Sequence, residues 1–450
     1  KAGIPIPRFC YHDKLSIAAN CRMCLVDTEV GGRSAPKPSP ACATPVMDGL
    51  KVFTRNDKAL KAQRNVMEFL LINHPLDCPI CDQGGECELQ DLSLGYGRSV
   101  SRFVERKRVV ADEDMGPLVA TEMTRCIQCT RCVRFTAEVA GTYELGGMQR
   151  GENLQIGTYD GKPLTTELSG NVIDVCPVGA LTNKVFRFRA RPWELVAKES
   201  LGAHDALGSN LFLHLRRGAV PRDNEAVNEC WLSDRDRYSH QGLYADDRAT
   251  VPLVRVASNG DEGDWREASW DEALAKAAQI LRDNGADNLG VLVHPATSNE
   301  EGALLARLAE GLGTGNLDHR IAQRDLSDAA VATQFATPVA GIEQADAIVI
   351  VGCNLRHEVP LLHQRVRKAW MRGATVHVVN PVDFEFAFDI ASRAIVAPSK
   401  LADALGSSEL AKAVEGANHV AVIVGAVAEN GLHAAAIRAA AADFAKRANG

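Results

Sequence analysis

The sequence predicts a multidomain protein, α+β in its first part and α/β in the remainder. Three observations point there. Eleven of the thirteen cysteines fall before residue 180, in loop-rich stretches punctuated by glycine and proline. Composition shifts near Arg187 to Pro192, beyond which cysteine nearly vanishes while alanine and valine rise. After residue 270, strand-like and helix-like segments alternate, the signature of a parallel sheet covered by helices. By size alone, 450 residues suit about three domains. The pattern divides them into four units: 1–56, 57–104, 105–190 and 191–450.

Residues 1–56 are short segments between turns at Gly3, Pro5, Pro7, Gly31, Gly32, Pro36, Pro38 and Pro40, with Val52-Phe53 reading as a final strand. From Asp57 to Asn73 the apolar positions Leu60, Met67 and Leu70-Leu71 recur at helical steps, with Asp57 placed to cap the start. Pro75 bars continuation, so His74 falls at or just past the helix end. A basic run, Arg106-Lys107-Arg108, opens the third unit. Within it, glycines at 141, 146, 147, 151, 157 and 161 mark turns and predict short strands and hairpins. In the last unit, 271–284 reads as an amphipathic helix, Leu289 to Val293 as a buried strand and 299–311 as a helix. Ala347 to Val351 reads as a strand, Leu361 to Met371 as a helix and Thr375 to Val379 as the next strand.

Hydrophobic residues make up 46% and charged residues 24%, enough for a large core, and the formal charge of -7 carries no basic patch interleaved with aromatics. Nucleic acid is therefore not an expected partner. The longest apolar runs, Ala347 to Cys353 and His419 to Ala428, are too short to span a bilayer. Opening on Lys1 and ending in an alanine-rich helix, the chain reads as part of a longer protein that could also have carried a targeting segment.

The cysteines form three sets. Cys10, Cys21, Cys24 and Cys42 are separated by ten, two and seventeen residues. A tight pair with two outlying thiols matches a plant-ferredoxin style of 2Fe–2S site in outline, though not in exact spacing. Soft, anionic thiolates suit ferric iron, while a four-cysteine zinc site is the alternative on spacing alone. The second set, within HPLDCPICDQGGECELQD, supplies Cys78, Cys81 and Cys87. Three thiolates leave one iron of a cubane to be filled, and His74 is the nearest candidate. A neutral imidazole in place of a thiolate should raise the potential, as in Rieske centres. The plain alternative is a histidine that caps a helix end. Gly84-Gly85 suit a close backbone approach to sulfide. The third set, RCIQCTRC followed after a gap by VCPVGAL, is Cys126, Cys129, Cys132 and the remote Cys176. Two successive C-x2-C steps and a Cys-Pro resemble a bacterial-ferredoxin 4Fe–4S site. Arg125, Arg131 and Arg134 flank it, either offsetting cluster charge or lying solvated on the surface. C-x2-C neighbours grip metal better than they pair with each other, so disulfides are not expected and a reducing compartment is. Cys230 and Cys353 read as small apolar residues. The segment IVIVGCN at 348–354 is a strand running into a glycine turn; packing and loop closure is the reading favoured over a nucleotide pocket.

With these residues set out, the chain resembles the large iron–sulfur subunits of respiratory complex I, the NADH:quinone oxidoreductase. HPLDCPICDQGGECELQD and RCIQCTRCVRF carry the likeness most sharply. The C-terminal half is similar to the molybdopterin oxidoreductase fold, on IVIVGCNLRHEVPLLHQRVRKA and GATVHVVNP. The resemblance implies a truncated ferredoxin-like 2Fe–2S domain, a small His/Cys 4Fe–4S domain, a ferredoxin-like 4Fe–4S domain and a pterin-fold α/β domain. Electrons from a flavin subunit that oxidises NADH would enter at Cys10–Cys42, pass to Cys126–Cys176 and leave from His74–Cys87 toward another iron–sulfur subunit and quinone. The implied place is the peripheral arm on the cytoplasmic or matrix face of an energy-transducing membrane, a bacterial inner membrane above all, with membrane contact only through the complex. Some bacterial members carry a further four-cysteine cluster at the start of the pterin-like region. Here the stretch around SLGAHDALGSN and NECWLSDRDRY holds only Cys230, so a fourth cluster is not expected. No residue offers itself as a molybdenum ligand, so that half should keep the fold without molybdopterin, as scaffold. No catalytic residue is assigned, and this polypeptide alone should have no NADH–quinone activity. The competing functions are the electron-input part of a formate dehydrogenase or of an NAD-linked hydrogenase.

Overall fold

The computed structural model describes residues 3–215, 218–256, 263–322, 324–328 and 337–448. Near the amino end, the strand Leu25–Val30 pairs antiparallel with Arg33–Ser34, Ser39–Pro40 and Leu50–Phe53. The helix Asp57–Leu71 packs on this sheet through Ala59, Gln63 and Met67. Its cap is Asn56, whose side chain accepts from Ala59 N, rather than the expected Asp57, which sits in the first turn. Asparagine at that position satisfies an otherwise unpaired amide, and Asp57 still favours the positive end of the helix. Buried Asp27 takes Lys58 at 2.7 Å and Asn56 at 2.8 Å, tying strand to helix.

The expected hairpin is Leu145–Met148 with Gln155–Thr158. A second antiparallel pair, Val119–Thr121 with Leu181–Asn183, joins the two ends of the third ligand region. Ala197–Leu201, Asn210–His214 and Gly218–Pro221 form a three-stranded antiparallel sheet that the sequence did not reveal.

Farther on lies a four-stranded parallel sheet in the order Ser392–Ile395, Thr375–Asn380, Ala347–Val351, Val420–Val424. Ala347–Val351 is buried throughout. Its odd and even side chains enter different cores. Ile348 and Ile350 meet Leu362 and Val366 of the helix Pro360–Met371, while Ala347, Val349 and Val351 meet Leu401, Ile437 and Phe444. A strand covered on both faces needs a continuous apolar run, and AIVIV supplies it. The buried strand expected at Leu289 to Val293 is reduced to Val291–Leu292, which among the described residues pairs only with Leu317–Asp318 and leaves Leu292 67% exposed.

Candidate iron–sulfur sites

The third ligand set is brought together by the pairing of Val119–Thr121 with Leu181–Asn183. Thr121 lies opposite Leu181, so Cys126, five residues past one strand, and Cys176, five residues before the other, share one end of the pair. Between the cysteines, Gln128 (φ 49°) and Thr130 (φ 60°) adopt left-handed conformations that curl the chain into a nest. Cys132 then enters the helix Arg131–Arg134, and Cys176 ends the helix Asn171–Val175, with Pro177 preventing its continuation. All four cysteines line one cavity, with Met123, Ile127, Ile156, Val178 and Leu181 as apolar walls. Burial pushes the thiols of Cys126 and Cys129 up to about 12 and that of Cys176 up to about 11. Cys132 is also raised well above its ordinary value by burial. The amide of Gln128 donates to Cys126 Sγ at 3.4 Å. A dry pocket walled by four sulfurs fits a cluster whose irons would take the place of the thiol protons.

The first set forms two close pairs. Cys10 N donates to Cys21 Sγ at 3.4 Å, and Cys24 Sγ lies 3.4 Å from Cys42 Sγ. The contact between the two sulfurs lowers the Cys10 thiol and raises that of Cys21, with burial adding to the rise. Cys24 and Cys42 face an open depression edged by Ile6, Arg8, Tyr11, Asp13 and Ile17. This set therefore has a buried side and a side open to the surface.

The second set is the most exposed. Cys78 is exposed, Cys81 and Cys87 are buried, and Cys87 begins the helix Glu88–Tyr96. His74 lies beyond the helix Asp57–Leu71, fixed by Lys107, which donates to the carbonyls of Leu71, Ile72 and His74. Burial pushes the imidazole down to about 4, keeping it neutral, and its buried Nδ1 has no hydrogen-bond partner among the described residues. A neutral ring with a free lone pair fits a ligand role. Asp77 and Arg125 act on both His74 and Cys81, which places these two groups in one electrostatic neighbourhood. The space that Gly84 and Gly85 leave is taken by Arg191 and by the ring of Trp193. Those glycines thus admit the chain's own side chains on the face where a Cβ would stand. Among the described residues, no three His, Cys, Asp or Glu side chains converge on a single ion position. A cluster distributes its ligands over several irons, so enclosure rather than convergence is the relevant fit.

The three sets share one core. Phe9, Cys10, Cys21, Met67, Cys87, Leu89, Ile127, Cys129, Val178 and Ala180 pack together. Cys87 Sγ lies 3.8 Å from Pro177 O, and any side chain at Gly179 would collide with Cys81 Sγ. The loop carrying Cys176 is thus wedged against the second set. Arg125, Arg131 and Arg134, for which a solvated surface was one reading, are 3%, 5% and 9% exposed. Sequence reasoning misses their buried role because it depends on partners distant in the chain. The one visible signal was three arginines beside cysteines within ten residues.

Family models match the chain segment by segment. Residues 1–57 match the 2Fe-2S iron-sulfur cluster binding domain and 63–102 the NADH-ubiquinone oxidoreductase-G iron-sulfur binding region. Residues 116–182 match the ferredoxin-like domain of NADH-quinone oxidoreductase subunit 3, and 248–450 match molybdopterin oxidoreductase. The 78 kDa subunit of mitochondrial NADH-ubiquinone oxidoreductase from Neurospora crassa is 48% identical over 387 residues, 83% of this chain and 50% of that one. The G-type subunit of NADH-quinone oxidoreductase from Rickettsia felis is 42% identical over 436 residues, 94% of this chain and 63% of that one. The chain belongs to the NADH-quinone oxidoreductase G family. It spans between 50% and 63% of the length of these relatives. A solved NAD+-reducing [NiFe]-hydrogenase chain overlaps 42% of this one and 80% of its own length at 27% identity, with a TM-score of 0.38, too low to argue from.

In this G-family chain, residues 195–241 match an NDSU1/NuoG-like 4Fe-4S domain, yet Cys230 is the only cysteine there. It is half-buried against the core, and Cys353 is buried. A pterin cofactor would be sought at the carboxyl ends of Ala347–Val351 and Val420–Val424, where the strand order reverses. The residues present do not fit one there. Gly425 packs directly on Cys353 and Gly352 on Ala428. The Glu358 carboxylate takes the amides of Asn354 and Ala426, each at 2.7 Å, so the chain's own groups close the crevice.

Proposed function

We propose that this chain is an electron-transfer subunit of NADH:quinone oxidoreductase with three resident clusters. Cys10, Cys21, Cys24 and Cys42 would hold a 2Fe–2S cluster. His74, Cys78, Cys81 and Cys87 would hold a 4Fe–4S cluster, and Cys126, Cys129, Cys132 and Cys176 a second. When bound, such clusters supply one-electron exchange without proton chemistry of the protein's own. The protein's part is to exclude water, fix separation and tune potential. The observation that carries the reading is the shared core in which cysteines of all three sets pack side by side. The open depression at Cys24 and Cys42 supports reading the first set as the entry side, which would face a flavin subunit that oxidises NADH. The exposure of Cys78 supports reading the second set as the exit side, which would face a further iron–sulfur subunit on the way to quinone. The third set lies against both.

The chain would sit in the peripheral arm on the cytoplasmic or matrix face. No helix among the described residues is long and apolar enough to cross a membrane. With Glu358 and Gly425 closing the crevice, the pterin-fold region serves as scaffold without molybdopterin. Anaerobically prepared protein should contain about ten irons per chain, the sum for one 2Fe–2S and two 4Fe–4S clusters. EPR of the reduced protein should resolve three signals; colourless protein, or protein holding zinc, would end the proposal. His74→Cys should keep its cluster and lower that cluster's potential, because a thiolate adds negative charge. An unchanged spectrum and potential would remove His74 as a ligand.

A further inference from the structure

The arginine at the centre of the third ligand run reaches all three ligand sets. Arg131 lies between Cys129 and Cys132 and is 5% exposed. One terminal nitrogen donates to Glu88 Oε1 at 2.8 Å and to Val175 O at 3.4 Å. The other donates to Tyr11 O at 2.9 Å and to Glu88 Oε2 at 3.2 Å. Glu88 follows Cys87 of the second set, Tyr11 follows Cys10 of the first, and Val175 precedes Cys176 of the third. One guanidinium therefore holds the chain next to a ligand of every set. Two neighbours reinforce the pattern. Arg134 donates to the carbonyls of Cys10 and Cys129, and Arg125 to Asp77 and to Gly179 O.

The planar fork grips both Glu88 oxygens while it reaches the two carbonyls, a two-nitrogen match that the single point of a lysine ammonium does not reproduce. The fork also carries a buried positive charge. Reduction adds negative charge to a cluster, so a nearby cation favours the reduced form and raises the potential. Glu88 opposes this, but its side chain is 44% exposed and water screens it, whereas Arg131 is enclosed. The arrangement is thus a buried cation shared by three sites, with one half-exposed anion as its counterweight beside the second.

We propose that Arg131 is a positioning residue for electron transfer, locking the three ligand loops in mutual register and setting their potentials jointly through its charge, with Glu88 as the opposing weight. This rests on the three-cluster reading. It goes further by assigning the coupling between sites to one side chain that is not a ligand.

The test is a redox titration of the full reconstituted chain followed by EPR, on wild type, Arg131→Gln, Arg131→Lys and Glu88→Gln. Arg131→Gln should lower the reduced-to-oxidised ratio of the third cluster about tenfold at fixed ambient potential, which is about 59 mV for a one-electron couple. The first cluster should shift the same way. Glu88→Gln should move the second and third clusters in the opposite direction. Arg131→Lys should restore most of the potential but alter the magnetic interaction between signals, because charge is kept and the fork is lost. Should Arg131→Gln fail to assemble, Glu88→Gln decides, since it changes only a half-exposed side chain. Wild-type signals with all three variants titrating as wild type would overturn the role of Arg131 alone. Absence of cluster signals in the wild type would instead overturn the reading on which it rests.

Discussion

His363 shows how burial alone can make a side chain depend on pH. It is 5% exposed, its ring lies 4.8 Å from that of Phe388, and its Nε2 accepts from the amide of Ala387. Burial first, then the charges of Arg356 and Arg367, push the imidazole down to about 3. The unfolded chain takes up the proton near pH 6.5, so the folded state is penalised on acidification. The contribution is full above about pH 6.5 and is lost as pH falls toward 3, at about 1.4 kcal/mol per pH unit. His363→Gln keeps an acceptor for Ala387 and removes the titration. The gap in urea midpoint between wild type and variant should therefore narrow from pH 7 to pH 4.5. A constant gap would mean that His363 does not stay neutral in the fold. The sequence shows this histidine as one of twelve and gives no sign of its depth. The cysteines were legible because ligand spacing is local, whereas the burial of His363, Arg131 and Arg134 is set by residues far away in the chain.

Among the elements, the central strand and its failed counterpart separate pattern from context. AIVIV at Ala347–Val351 and LGVLV at 289–293 look alike in sequence. The first is bounded by a helix on each face and paired by a strand on each side, and every residue is buried. The second finds only Leu317–Asp318 among the described residues and remains two residues long. An apolar run declares that it can be a core strand, but the neighbours decide whether it is. Ile350→Ala should thus cost about 2–5 kcal/mol, the usual range for emptying a closed core site. Leu292→Ala, at a side chain 67% exposed, should cost within about 0.5 kcal/mol. Chemical unfolding of both variants checks the contrast, and comparable losses would show that the two strands are equally supported. The antiparallel sheet of Ala197–Leu201, Asn210–His214 and Gly218–Pro221 escaped the sequence for the same reason: its strands AKESL, NLFLH and GAVP show no sustained alternation.

At the scale of the whole molecule, a buried knot of charge joins the cluster-bearing part to the parallel sheet. Glu229 and Glu343, both 9% exposed or less at the side chain, meet Arg365 and Lys368 of the helix Pro360–Met371. Arg365 also donates to the carbonyls of Glu225 and Val227 at 2.8 and 3.0 Å. On the other side, Lys14 reaches Glu229 at 3.7 Å, four residues from Cys10. Trp231 donates to Glu229 at 3.0 Å while its ring packs on Phe135 and His12. The parallel-sheet part is thereby fastened to the chain beside the first and third ligand sets. Arg365→Met would leave two buried carboxylates short of a partner, and breaking such a network from one side costs about 3–5 kcal/mol. Replacing Glu229 and Glu343 by glutamine in the same chain removes the stranded carboxylates but leaves Lys368, 19% exposed, without them, so it should return only part of that loss, because the sites are coupled rather than additive. Equilibrium unfolding with limited proteolysis distinguishes the cases: the single variant should be cut between residues 241 and 345 at lower urea than wild type, and the triple variant should lie between them. A single variant as resistant as wild type would show that the apolar contacts of Trp231 and Leu361 hold the parts together without the charges.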